Sequence, residues 1–286
     1  MIIPPPPNPK ELLAAAGLRP KKDWGQNFLR EQDVLKAISE SCRASEEELV
    51  VELGAGLGAL TYYLIQDYAS VVAVERDREL VPLLKNFFQW APGLELLEAD
   101  AGTLDYQGLS RAHDKPLVVV GNLPYQISSR ILVSVADAAS SVRRCVVMIQ
   151  KEVAERIIAP PGSKTYGLLS VLMQRAFSGH VVRVVPPHVF LPPPKVHSAV
   201  LVLERNEVLR APEADARMVA AARVAFSARR KTLRNSVAGG LGVKPAQVEE
   251  AMVAGNLDPK RRAESFSLDE FEQLGEVLHT HGLLEL

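Results

Sequence analysis

Four residues, Asn122-Leu123-Pro124-Tyr125, follow directly on the apolar run Leu117-Val118-Val119-Val120-Gly121. They set an amide, a proline-stiffened backbone and an aromatic ring at the carboxyl end of a predicted buried strand, where open α/β sheets bind ligands. An amide oxygen and a nearby backbone carbonyl can accept both hydrogens of the exocyclic amine of a flat base. That favours a more tetrahedral nitrogen, one able to attack a methyl donor, while a tyrosine ring stacks on the base. The plainer alternative is a turn that merely closes a strand, and what lies upstream decides between the two.

Upstream, Glu52-Leu53-Gly54-Ala55-Gly56-Leu57-Gly58 ends a predicted strand and opens a helix. Gly54 and Gly56 allow a tight turn and close backbone approach to a ligand at the helix N-terminus. The spacing Gly-x-Gly-x-Gly departs from the dinucleotide fingerprint Gly-x-Gly-x-x-Gly. Glu75 ends the next strand, 21 positions after Gly54, and can accept hydrogen bonds from both hydroxyls of a ribose. Asp100, beside Ala101, follows the third strand, where a carboxylate can take the amino group of an adenine. Singly, each acid reads equally well as a helix cap or a solvated strand end. At successive strand ends, with Asn122 at the fourth, the set describes S-adenosylmethionine. Its methionine part lies at the glycine loop, its ribose on Glu75, its adenine near Asp100 and its methyl group toward Asn122.

These groups require a scaffold of alternating strands and helices. Short apolar runs at Leu49–Leu53, Val71–Val74, Leu94–Leu97, Leu117–Val120 and Cys145–Ile149 alternate with helical patterns, which predicts βαβ units and a parallel sheet. Val181–Val185 and Ala199–Leu203 have only a Pro-rich stretch between them and predict an antiparallel end to the sheet. Short helices are predicted near Glu11–Ala16, closed by Gly17, and over Glu31–Cys42. Beyond Asn206 the strand signal stops. Helices are predicted over Pro212–Lys231 and Pro245–Ala254, and after a capping box at Ser267–Glu270. The predicted organisation is therefore a Pro-rich lead-in over 1–20, a catalytic domain over 21–205 and a helical domain over 206–286.

The formal net charge of −1 excludes a uniformly basic nucleic-acid binder but leaves room for a local basic face. Cys42 and Cys145 are the two cysteines, lack metal-ligand spacing and read as reduced thiols. No apolar run reaches membrane-spanning length, and the start lacks the layout of a signal peptide. A cytoplasmic protein without membrane attachment or bound metal is expected.

The chain closely resembles the ribosomal RNA adenine dimethyltransferases of the KsgA type. The resemblance rests on Gly25-Gln26-Asn27-Phe28-Leu29, the Glu52–Gly58 loop, Asn122-Leu123-Pro124-Tyr125, Phe190-Leu191-Pro192-Pro193-Pro194-Lys195-Val196-His197-Ser198 and the segment from Phe226 to Asn235. It implies a Rossmann-like class I methyltransferase sheet of seven strands, the last pair antiparallel, followed by a smaller all-helical C-terminal domain. It further implies dimethylation of N6 on two adjacent adenosines near the 3′ end of small-subunit rRNA, with the small ribosomal subunit or its precursor as partner, and a monomer. Asn27 and Leu29 complete the S-adenosylmethionine pocket, and Tyr125 and Phe190 are two stacking walls for a flipped adenine. The sequence has Trp24, Ala55 and Gln126 where members more often have Phe, Pro and Asn.

Arg223, Arg229, Arg230, Lys231 and Arg234 form a basic cluster, Lys260-Arg261-Arg262 a second, and Lys21-Lys22 a third pair beside the cofactor loop. Charge runs are commonly solvated faces. The resemblance assigns the first cluster to RNA phosphates, which give affinity but little sequence choice. His188 and His197 invite a general-base or metal role. A structural one fits better, because a methylated amine loses its proton without a strong base. The resemblance leaves as rivals the large-subunit rRNA methyltransferases of macrolide resistance, a ribosome-assembly factor, and a small-molecule methyltransferase.

Overall fold

The computed structural model describes residues 3–285 and, for Lys22, the backbone alone. The expected lead-in at Met1 and Ile2 and the Lys22 charge fall outside the described residues. The chain divides into two compact units: the first runs to Ala154 and includes Gly179–Arg205, and the second takes Glu155–Ser178 and everything from Asn206 onward.

The first unit is built on strands β1 (Leu49–Leu53), β2 (Val71–Glu75), β3 (Leu94–Glu98), β4 (Leu117–Asn122), β5 (Val142–Gln150), β6 (Phe177–Val185) and β7 (Ser198–Arg205). Their order in the sheet is β3-β2-β1-β4-β5-β7-β6. β1 and β2 are buried at every position, as expected of parallel strands covered on both faces, whose residues read as continuous Val and Leu runs. β3, β2, β1, β4 and β5 are mutually parallel. β7 runs antiparallel to β5. It lies between β5 and β6, so the last strand in sequence is an interior one. Because β1 is flanked by β2 on one side and β4 on the other, the sheet reverses direction of growth there. That reversal opens a crevice at the carboxyl ends of the strands.

A second, two-stranded ribbon pairs Phe28–Leu29 with Phe190–Leu191. It holds the loop ahead of Gln32–Cys42 against the loop that follows β6. Before it, the helix Pro9–Ala16 starts on the Asn8 side chain, which accepts the Lys10 N–H, and ends at Gly17 in the left-handed region. Both are ordinary terminators of a short helix.

The second unit packs the helices Pro212–Ala225, Leu233–Leu241, Pro245–Ala254 and Leu268–Thr280 around Met218, Leu233, Phe266 and Phe271. The Ser267–Glu270 capping box forms in both directions. The helix expected to reach Lys231 stops at Ala225 and tightens into a 3₁₀ turn over Phe226–Ala228. The chain must turn there so that the Leu233 N–H can reach the Arg261 carbonyl at 2.7 Å, which brings Leu233 into the core. Residues 155–178 were expected within the catalytic domain. Tyr166 and Val171 instead share a core with Met218 and Phe271 in the second unit.

Candidate active site

The loop after β1 carries three glycines with positive φ, Gly54 (75°), Gly56 (59°) and Gly58 (79°), a conformation that disfavours any side chain. A Cβ on Gly54 would enter open space, whereas one on Gly58 would strike the Phe88 ring at 2.4 Å. Gly54 thus borders the crevice while Gly58 seats the following helix against the core. Behind the loop, Glu52 is 2 % exposed and accepts the Thr61 hydroxyl at 2.5 Å. Burial pushes its carboxyl up to about 7, with the Thr61 hydroxyl opposing and the charge of Glu75 adding.

Glu75 ends β2 with one carboxylate oxygen on the Gly56 N–H at 2.8 Å and the other on the Asp77 N–H at 2.8 Å. Burial raises its pKa, and those two N–H groups act against the rise. Each oxygen retains a lone pair for a further donor. Asp100 accepts the Gly102 N–H at 2.8 Å and faces Arg76 at 3.4 Å. Arg76 in turn lies over the Trp24 ring at 4.2 Å, with Lys21 near the same ring at 4.7 Å.

Asn122 closes β4. Its Nδ2 donates to the Asn27 carbonyl at 2.9 Å. Only the NH₂ end of an amide can face a carbonyl, so this bond also fixes where the Asn122 oxygen points. The Leu123 N–H is tied to the Met148 carbonyl at 3.1 Å, which anchors the turn to β5. The Tyr125 hydroxyl shares a 2.6 Å hydrogen bond with Ser198, and burial raises its pKa despite that contact.

Asn27, Leu29, Gly54, Gly56, Glu75, Asp100, Ala101, Asn122, Leu123, Pro124 and Tyr125 all line one cavity of about 1060 Å³ including its open mouth. Phe190 departs from expectation. Its ring is 1 % exposed, is not part of the cavity lining, and packs in the core with Leu29, Val189 and Val200. The cause is its pairing opposite Leu29 in the two-stranded ribbon, which turns the ring inward. Tyr125, Trp24 and Phe28 are the aromatic residues that line the cavity.

The model of the family described as ribosomal RNA adenine dimethylase matches residues 17–278. The chain belongs to that family. A relative from Anaeromyxobacter dehalogenans named ribosomal RNA small subunit methyltransferase A is 44 % identical over 280 residues, covering 95 % of this chain and 98 % of the relative. Among solved structures, a dimethyladenosine transferase from Plasmodium falciparum superposes with a TM-score of 0.72 at 22 % identity, over 89 % of this chain and 98 % of that one. The 23S rRNA methyltransferase ErmE gives 0.66 at 25 %, over 88 % and 100 %.

The basic residues of this family member divide by partner. Arg229 donates to the Lys164 carbonyl and Arg234 pairs with Glu249 at 2.8 Å. Arg223, Arg230 and Lys231 are exposed. Arg261 is absorbed by Glu270 and by the Phe266 ring. Sequence reasoning missed Asp77, which is 1 % exposed. It accepts Lys21 at 2.7 Å and Gln26 at 2.9 Å. Burial pushes its carboxyl up, but the Lys21 and Gln26 donors outweigh that and hold it below its usual range.

Proposed function

We propose that this chain transfers methyl groups from S-adenosylmethionine to N6 of two adjacent adenosines near the 3′ end of small-subunit rRNA. The substrate is the small subunit or a precursor of it, in the cytoplasm. The observation that carries the reading is the oriented amide of Asn122 in a cavity that also presents Glu75, Asp100 and the open edge of Gly54. Support for the small subunit over the large comes from the 44 % identical relative, against 25 % for ErmE.

The donor set fits the methyl donor. Gly54, Gly56 and Leu29 leave room for an amino-acid moiety at the helix start. Glu75 has two acceptor positions for the ribose hydroxyls, and Asp100 with Ala101 borders the place for the adenine ring. When bound, S-adenosylmethionine supplies an electrophilic sulfonium methyl. Asn122 and Asn27 line the same space. Asn122 Oδ1 accepts one N6 hydrogen of the target, and the backbone carbonyl of the Leu123–Pro124 turn takes the other. Tyr125, braced by Ser198, presents its ring to a base drawn out of its stack, an extrusion that costs a few kcal/mol and that stacking offsets. Catalysis is then chiefly proximity and orientation. Arg223, Arg229, Arg230, Lys231 and Arg234 meet rRNA phosphates.

The test is transfer of labelled methyl to small subunits lacking the modification, with nucleoside analysis of the product. Deproteinised large-subunit rRNA and Asn122→Ala protein run alongside. Dimethyladenosine in the small-subunit sample, lost with Asn122→Ala, is expected. Label confined to large-subunit rRNA would overturn the substrate, and label undiminished by Asn122→Ala would overturn the site.

A further inference from the structure

Asp77 gives its N–H to Glu75, and its side chain holds Gln26, one of the loop residues that line the cavity. Its Oδ1 accepts Lys21 Nζ at 2.7 Å and the Glu79 N–H at 3.1 Å, and its Oδ2 accepts Gln26 Nε2 at 2.9 Å. The Gln26 amide is held from its other end as well, where Oε1 accepts the Lys21 N–H at 2.8 Å. Gln26 therefore cannot flip without placing like groups together at both contacts. Next along the chain, the Asn27 side chain donates to the Gly25 carbonyl at 3.0 Å, and the Asn27 carbonyl receives Asn122 Nδ2.

A continuous path thus runs from a buried carboxylate just beyond β2, through Gln26, to the group that decides which way the Asn122 amide faces. The Gln126 side chain abuts the same loop, since a Cβ on Gly25 would lie 2.5 Å from its Oε1. Among the described residues, the Asn27 carbonyl is the hydrogen-bond partner that distinguishes the two ends of the Asn122 amide. Were the Asn27 carbonyl to withdraw, the NH₂ and oxygen could exchange, and a donor would then meet the target amine.

We propose that Asp77, acting through Gln26 and Asn27, is a positioning residue for methyl transfer that sets the orientation of the Asn122 amide. The proposal rests on the reading of Asn122 given above. It makes one loop responsible both for framing the methyl-donor pocket and for preparing the acceptor side.

Asp77→Asn keeps the shape and turns an NH₂ toward Gln26 or Lys21, both donors. The first readout is hydrogen exchange in protein without ligand. Amides of residues 21–29 should exchange at least about tenfold faster, with those of 117–121 unchanged. No change in 21–29 would overturn the proposal whatever the enzyme does. The second readout is a double-mutant cycle on single-turnover methyl transfer at saturating S-adenosylmethionine, with binding followed by Trp24 fluorescence. Asp77→Asn should slow transfer about tenfold or more. In an Asn122→Ala background the same change should cost less than about twofold, because the residue it acts through is gone. Equal losses in both backgrounds would mean a general structural effect and would overturn the proposal. Gln26→Ala, which cuts one tie and leaves Asp77 with Lys21, repeats the cycle if Asp77→Asn does not fold. Wild-type protein inactive on small subunits would count against the proposed function, while the exchange result would still judge the role of Asp77 in the loop.

Discussion

Replacing Glu52 by Gln should make the first unit more stable at alkaline pH than the wild-type protein. Glu52 is 2 % exposed and its carboxyl is pushed by burial from its ordinary 4.5 up to about 7. The folded state therefore holds a proton that the unfolded chain releases at lower pH. Between those two values the native state binds more protons, so stability falls as pH rises and levels off above the folded pKa. The stabilising contribution is whole below 4.5 and lost by pH 8. Integrating across pH 5 to 8 gives a loss of roughly 2–3 kcal/mol attributable to this one group. Gln at position 52 mimics the neutral acid. Its oxygen can keep the 2.5 Å contact with Thr61, and it does not titrate.

The assay is urea unfolding of wild-type and Glu52→Gln protein at pH 5 and pH 8, read by tryptophan fluorescence. Both tryptophans, Trp24 and Trp90, lie in the first unit, so the signal reports the part of the chain that contains Glu52. The difference between the two proteins should shift in favour of Gln by roughly 2–3 kcal/mol from the lower to the higher pH. Titrating groups distant from position 52 are common to both proteins and largely cancel in the comparison, while the coupling of Glu75 to Glu52 is part of the difference being read. A difference that does not change with pH would refute the reasoning, since it would mean that Glu52 stays ionised in the fold at both pH values.

Tyr125→Phe keeps the ring and loses only the 2.6 Å bond to Ser198, so methyl transfer should fall a few-fold. Tyr125→Ala removes the stacking surface and should weaken target binding by about 1–3 kcal/mol, measured as KM for the RNA with that for the methyl donor unchanged. Gly121→Ala should destabilise the first unit by about 1–3 kcal/mol, because its Cβ would lie 2.5 Å from the Leu53 carbonyl oxygen on the neighbouring strand; urea unfolding reads it. Replacing the exposed Arg223, Arg230 and Lys231 together by Gln should flatten the salt dependence of rRNA binding. The slope of log affinity against log salt should shrink by about 2, at roughly 0.7 per phosphate contact.

The parts of the site that could be read in advance share a physical property. Glu52 and Glu75 belong to five-residue strands buried throughout. Their surroundings follow from strand register, and an acid in such a run demands an explanation wherever the strand ends up. The glycine loop and Asn122 are likewise local, fixed by the turn that ends a parallel strand. The features that escaped depend on which distant segment arrives. The closing antiparallel pair is legible, but the order within it is not: β7 lies between β5 and β6 because its place is decided by pairing and not by chain order. Phe190, beside prolines, reads as a presented ring, and only its pairing with Leu29 turns it inward.

Asp77 is the sharpest case. It sits in Glu75-Arg76-Asp77-Arg78-Glu79, which on pattern alone is a solvated charge run. A carboxylate can be buried there only because Lys21 and Gln26, 56 and 51 residues away, supply a charge and a donor. The same dependence gives Asp77 its leverage. A group whose burial requires those partners also fixes them in return, and through Gln26 it constrains the carbonyl on which the Asn122 amide turns. Local sequence pattern can therefore locate the residues that meet a substrate, while the residues that aim them are visible only once the contacts are made.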